Sequence, residues 1–131
     1  MLFRSPRDFL EKCLADIDRL DGEIKAFVVT NPDSARKAAD DATARWKDGT
    51  PISPIDGMPV GVKDVMETAD MPTAEGSALF EGRPTHRDCA AVVALHEAGA
   101  VIVGKTVTTE FAATHPGPTR NPWDLERTPG G

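Results

Sequence analysis

The chain has 131 residues, of which 40% are hydrophobic and 27% charged, so its length and composition suit one globular domain with its own core. The net charge is −6 and the basic residues form no cluster, which argues against nucleic acid as a direct partner, because phosphates are neutralised by grouped Lys and Arg. No segment is long and apolar enough to span a membrane, and residues 1–8 lack the apolar run of a signal peptide. Two cysteines, Cys13 and Cys89, make no disulfide framework, and we expect free, buried thiols in a cytoplasmic protein without a membrane partner.

A helix is predicted to begin at the chain's first capping signal. Ser5 can cap it, Pro6 suits its first position, and Asp8 completes the capping pattern. Apolar residues then recur at three- and four-residue spacing until the helix ends near Asp21-Gly22. Residues 26–29 form a short strand candidate.

A second helix is predicted to start at Asn31-Pro32 and to end at Gly49. One face of it is rich in alanine, which permits close packing. The residues of that face are Ala35, Ala38, Ala39, Ala42 and Trp46. Residues 1–50 are therefore predicted to form a helical arm with one short strand.

Prolines and glycines change the character of the chain from Thr50 onward. They leave room only for a brief strand that begins near Val60 and ends at Lys63-Asp64, and residues 65–84 are predicted to be mostly loop.

The clearest predicted unit is a helix followed by a buried strand. Thr85 and Asp88 are expected to cap a helix that runs to about Ala98, and Gly99 ends it. The strand at 100–103 is apolar without polar alternation, which indicates a sheet covered on both faces, as in α/β proteins. After a helical turn near 109–113, residues 115–131 are predicted to be loop, and a tail of this kind indicates a chain that stops inside a larger fold.

Residues 99–106 match the pattern G-x-x-x-x-G-K-T of a phosphate-binding loop. In a true loop of this type a strand precedes the first glycine and a helix follows the lysine. Here a helix precedes and the four central residues are the predicted strand, so their amides should bond neighbouring strands. We therefore interpret Lys105 as a residue at the exit of a buried strand and not as a nucleotide ligand.

The three histidines, His86, His96 and His115, are scattered, and His86 with Cys89 is the single pair at ligand-like spacing. Because zinc sites need three or four ligands, no metal site is predicted. No cofactor is expected either.

Lys63 has two interpretations when the residues alone are considered. A lysine at a strand end usually reaches solvent. The functional alternative needs a buried amine, because loss of water favours the neutral form that can act as a base.

Five short blocks of sequence resolve this choice. They are residues 54–64 (PIDGMPVGVKD), 73–77 (TAEGS), 97–106 (EAGAVIVGKT), 110–112 (EFA), and 119–124 (TRNPWD) with the closing 129–131 (PGG). In this order they resemble the motifs of amidase-signature enzymes, which are α/β proteins with a mixed central sheet flanked by helices. The resemblance makes residues 51–131 the N-terminal, incomplete part of the catalytic core.

The resemblance implies a Ser–cis-Ser–Lys triad in which the lysine is Lys63. Both serines of the triad then fall beyond Gly131, and Gly130 and Gly131 approach the active site. The four serines present are Ser5, Ser34, Ser53 and Ser77, of which Ser77 matches a structural position. The assignment depends on an amine at position 63 that is withheld from water and close to Gly131.

The implied function is hydrolysis of a small-molecule carboxamide to a carboxylate and ammonia or an amine, through a serine acyl-enzyme with Lys63 as base. One alternative is the amidase subunit of a tRNA-dependent amidotransferase, which passes ammonia from glutamine to a partner subunit. The other is a non-catalytic, truncated module, and the fragment alone is expected to be inactive. A truncated sheet is also expected to expose apolar surface and to promote self-association.

Overall fold

The computed structural model describes residues 5–130. Within them, three α-helices and three β-strands alternate along the chain, and two short 3₁₀ turns lie in the loops. The elements are α1 (Pro6–Ile24), β1 (Phe27–Thr30), α2 (Pro32–Lys47), β2 (Pro59–Lys63), α3 (Ala90–Glu97) and β3 (Val101–Thr106), with the 3₁₀ turns at Ala78–Phe80 and Glu110–Ala112.

The three strands form one mixed sheet in the order β1-β3-β2. β3 lies in the centre, antiparallel to β1 and parallel to β2. Pro59 opens β2, where a residue without an N–H group is tolerated because the strand lies at the sheet edge within the described chain. The predicted α/β class with a mixed sheet is confirmed.

Apolar side chains of β3 pack on both faces of the sheet, as its unbroken apolar run predicted. Val101 and Val103 join Leu10 of α1 and two alanines of α2, Ala35 and Ala39, in one cluster. On the other side of β3, a second cluster contains Ile102, Val62, Met71 and Val92.

Two of the three predicted helix caps are present. The Ser5 hydroxyl accepts the Asp8 N–H at 3.1 Å, and the Asn31 side chain accepts the Ser34 N–H at 3.3 Å. Each cap is followed by proline at the start of its helix. The first helix ends later than predicted, because Lys25 in the left-handed region closes it with an N–H bond to the Asp21 carbonyl.

The predicted cap of α3 is wrong. The helix begins at Ala90, after Cys89, whose side chain makes no capping bond. Asp88 instead accepts the Ala69 N–H at 2.7 Å, and the Thr85 hydroxyl donates to the Thr68 carbonyl at 2.9 Å. Both polar side chains thus hold the 67–71 segment, which leaves them unavailable to the helix.

Candidate active site

Lys63 is the last residue of β2 and lies opposite Thr106, the last residue of β3. The turn that follows is closed by the Met66 N–H, which donates to the Lys63 carbonyl at 2.8 Å. The Lys63 side chain is exposed in this chain. The expectation of an amine held out of water at this position is therefore wrong for the part of the chain that the structure describes.

Lys63 and Thr106 project to the same face of the sheet. A Cβ atom placed on Gly61 would lie 2.8 Å from Thr106 Cγ2 and 3.5 Å from Phe27 Cε1. Residues two apart in a strand share a face, so Lys63 points to the side of Thr106.

Thr106 in turn lines a cavity of about 240 Å³ at the ends of the strands. The far wall of this cavity is the closing segment of the chain, including Pro129 and Gly130. Gly130 has φ = +92°, a backbone conformation that glycine adopts readily. Gly131 lies outside the described residues. The structure thus places Gly130 across one cavity from the register partner of Lys63.

The lysine that is withheld from water is Lys105. Its side chain is fully buried near the end of β3, the central strand, which confirms the predicted location at the exit of a buried strand. Its Nζ lies 3.1 Å from Asp64 Oδ1, donates to Thr73 Oγ1 at 2.7 Å, and donates to the Pro72 carbonyl at 3.3 Å. Two hydrogen bonds and one ion pair thus hold the Lys105 amine in place.

Residues Val101–Thr106 of the phosphate-loop pattern form the strand β3, as predicted. Its backbone pairs with β1 and β2, and Gly99 ends α3 with φ = +83°. A Cβ atom on Gly104 would lie 2.4 Å from the Val29 carbonyl oxygen, so this glycine allows β1 to approach. The amides of β3 consequently have no freedom to bind a phosphate.

The block at 73–77 forms the other side of the Asp64–Lys105 pair. The Ala74 N–H donates to Asp64 Oδ2 at 3.2 Å, and the Glu75 N–H donates to the Asp64 carbonyl at 3.0 Å. Ser77 is buried, and its hydroxyl accepts the Leu79 N–H at 3.4 Å, which caps the first 3₁₀ turn. The Ser77 hydroxyl thus has a partner within its own turn.

The sequence also singled out two cysteines and a possible pair of metal ligands. Cys13 and Cys89 are free and half-buried, and burial raises the pKa of the Cys13 thiol. Between residues 5 and 130, no three His, Cys, Asp or Glu side chains come together in a group that could hold a metal ion. No described helix has both the length and the apolar character needed to cross a bilayer.

Sequence relatives agree with this architecture. The chain is 44% identical over 133 residues to a glutamyl-tRNA(Gln) amidotransferase subunit of Anaeromyxobacter sp. (strain K), covering 97% of this chain and 27% of the relative. It is 41% identical to the corresponding subunit of Thermobifida fusca (strain YX), covering 93% of this chain and 26% of that protein. The chain thus spans about a quarter of the length of these relatives.

Solved structures give the same result. The peptide amidase of Stenotrophomonas maltophilia superposes with a TM-score of 0.86 at 30% identity, over 97% of this chain and 28% of that one. A vestigial complex described as revealing the origins of an s-triazine catabolic enzyme gives 0.87 at 36% identity, over 97% and 29%. The family model named Amidase matches residues 8–131, and the chain therefore belongs to the amidase-signature family.

Proposed function

We propose that this chain is the N-terminal part of an amidohydrolase that cleaves a carboxamide through a serine acyl-enzyme, with Lys63 as the base. The observation that carries the proposal is the location of Lys63 at the end of β2, opposite Thr106, which lines the same cavity as Gly130. Family membership supports the reaction class, since relatives are named as amidases and as an amidotransferase subunit.

The proposed chemistry moves one proton and one acyl group. The neutral amine of Lys63 accepts a proton relayed through a bridging serine, while a second serine attacks the amide carbonyl carbon. Backbone amides stabilise the resulting oxyanion, an effect worth roughly 3–4 kcal/mol for each donor that is removed. The Lys63 ammonium returns the proton to the leaving nitrogen, and water then releases the carboxylic acid from the serine. By family resemblance, both serines lie beyond Gly131.

This role requires that further polypeptide cover Lys63. Exposure keeps a lysine amine well hydrated, whereas removal from water favours the neutral form that can accept a proton. Since the chain spans about a quarter of its relatives, we propose that the remaining length supplies this cover. The 131-residue chain by itself should not turn over amides.

We also propose a division of labour within the chain. Residues 51–131 belong to the catalytic core, and residues 1–50 form an arm that packs against it through Leu10, Ala35 and Ala39. The free cysteines fit the reducing, cytoplasmic compartment that we propose for it.

A second candidate function is the amidase step of a tRNA-dependent amidotransferase. It is favoured by the 40–44% identity to proteins named as subunits of glutamyl-tRNA(Gln) amidotransferase. The two functions share Lys63 chemistry and differ in the fate of ammonia. Release of free ammonia from simple amides supports the hydrolase, whereas turnover confined to glutamine and dependent on a partner protein supports the amidotransferase.

The test of Lys63 uses the complete enzyme, meaning a polypeptide that joins this segment to the remaining length of its relatives. We expect Lys63→Ala to lower kcat by about 10²–10⁴-fold, the usual contribution of a positioned base. The matched control is Lys37→Ala, which removes an 81% exposed lysine of α2 that contacts Asp41. Circular dichroism should show both variants folded. A Lys63→Ala enzyme with near-normal kcat would remove Lys63 from the mechanism.

A further inference from the structure

The Asp64–Lys105 ion pair is buried almost completely, with side-chain exposures of 1% and 0%. The two groups come from neighbouring strands, since Asp64 directly follows β2 and Lys105 belongs to β3. Asp64 Oδ1 forms no directional hydrogen bond in the described chain, so its 3.1 Å contact with Lys105 Nζ is electrostatic. The carboxylate therefore depends on Lys105 for compensation of its charge.

Stability alone gives no reason for this pair. Two charges lose their hydration when they are buried, and apolar residues of similar size often stabilise a core equally well. Buried pairs are best documented as devices that fix one arrangement of the chain among several. The relevant question is therefore which part of the molecule this pair fixes.

Asp64 is fixed by its backbone as well as by its side chain. Its N–H donates to the Thr106 carbonyl at 2.9 Å, and its carbonyl accepts the Glu75 N–H at 3.0 Å. Asp64 Oδ2 accepts the Ala74 N–H at 3.2 Å, and Oδ1 contacts Lys105. Asp64 is thus tied to β3 on one side and to the loop that follows Pro72 on the other.

We propose that Asp64, held by Lys105, is the positioning residue that directs the Lys63 amine toward the cavity shared by Thr106 and Gly130. A planar peptide bond joins Lys63 to Asp64, the first residue of the turn after β2, and the Asp64 carboxylate contacts Lys105, which lies on the face of β3 opposite that of Thr106. Because the Asp64 carboxylate is held in the core by Lys105, the Lys63 side chain lies on the opposite face of the sheet, the face of Thr106. This inference rests on the proposed role of Lys63 as the base.

The first variant is Asp64→Asn in the complete enzyme. It preserves the side-chain shape and an oxygen for the Ala74 N–H, and it removes the charge that Lys105 balances. We expect kcat to fall by about 10–100-fold with KM changed much less, because a small misplacement of a catalytic group can cost about 10²-fold. The matched control is Asp56→Asn, which removes another buried carboxylate, one that is bound to Arg45. Because Asp56 lies away from the reacting groups, kcat of the folded control variant should stay within about 3-fold of the unsubstituted enzyme.

The decisive readout is a double-mutant cycle with Lys63→Ala. If Asp64 acts through Lys63, Asp64→Asn will lower kcat in the native background and cause no further loss once Lys63 is alanine. If Asp64 is merely structural, the two losses will multiply, and the inference is overturned. A normal kcat for Asp64→Asn overturns it as well.

The cycle separates two kinds of failure. Near-normal kcat in Lys63→Ala refutes the proposed function, and the inference that rests on it falls too. An inactive Lys63→Ala enzyme with multiplicative losses refutes the inference alone. Should Asp64→Asn fail to fold, the variant Asp64→Asn/Lys105→Met leaves no unpaired buried charge, and its kcat must show the same dependence on Lys63.

Discussion

Replacing Asp56 by asparagine tests how the N-terminal arm is attached to the rest of the chain. The Asp56 side chain is 0% exposed, and its two oxygens accept from Arg45 of α2 at 2.6 and 2.9 Å. Oδ2 also accepts the Ile52 N–H at 3.0 Å. The substitution removes the charge and turns one acceptor into an N–H₂ group that faces the guanidinium.

The expected loss follows from burial. Breaking a fully buried ion pair by removing one partner costs about 3–5 kcal/mol. Because Arg45 is 29% exposed, water partly compensates its charge, and we expect a loss of about 2–4 kcal/mol. With a urea dependence of about 2 kcal/mol/M, the unfolding midpoint should fall by about 1–2 M. Such a loss is a large fraction of the roughly 5–15 kcal/mol that stabilise a domain.

The assay is urea unfolding followed by circular dichroism, with Asp40→Asn as the control. Asp40 also binds an arginine, Arg7, but it is 58% exposed, so the change should cost no more than about 1 kcal/mol. Equal midpoints for the two variants would refute the argument that burial sets the loss.

The same variant should alter the response to acid. The hydrogen bond from Arg45 holds the pKa of Asp56 below its ordinary 3.8. A carboxyl whose folded pKa is depressed contributes stability that is complete above pH 3.8 and is lost as pH falls through the lower folded value. Asp56→Asn should therefore weaken the loss of stability below pH 3.8.

Two further outcomes are expected. Gly104→Ala should lower the free energy of unfolding by about 1–3 kcal/mol, because its Cβ would lie 2.4 Å from the Val29 carbonyl oxygen and 3.0 Å from Thr30 Cα, both backbone atoms of β1. The control, Gly22→Ala in α1, meets no atom within 4 Å and should stabilise the helix by about 0.5–1 kcal/mol. Equal thermal midpoints for the two variants would contradict this account. The pKa of Glu11 is lowered from 4.5 to about 2, chiefly by its hydrogen bond with Arg36, so this residue contributes stability above pH 4.5 that is lost as pH falls toward 2. Glu11→Gln should therefore make acid unfolding between pH 4.5 and 2 less steep. An unchanged slope would show that the Arg36 contact contributes nothing.

The parts of the fold that the sequence predicts correctly are those set by local chemistry. Ser5 and Asn31 start helices because each side chain accepts an N–H three residues ahead. Gly99 ends α3 because the chain needs a positive φ there. The unbroken apolar run of β3 predicts a strand covered on both faces, and it is.

The parts that escaped prediction depend on partners distant in the chain. Asp88 matches a capping pattern but binds the Ala69 N–H, a partner that no spacing rule reveals. Lys105 is buried because Asp64 and Thr73, both far from it in sequence, meet its amine. The signal that the sequence did offer was one acidic and one basic residue, Asp64 and Lys105, each beside a mostly apolar strand segment. Two such residues are expected to balance each other's charge when they are buried.

The G-K-T triplet at the end of β3 shows why a motif must be interpreted within its element. On a loop, its glycine, lysine and threonine would serve a phosphate. On this strand the same side chains perform three separate tasks. Gly104 lets the β1 backbone approach, Lys105 balances the buried Asp64 carboxylate, and Thr106 lines the cavity that Gly130 closes. Each task needs a different property (no side chain, a positive charge, a small surface-facing group), so the triplet is fully explained by the sheet, without a nucleotide.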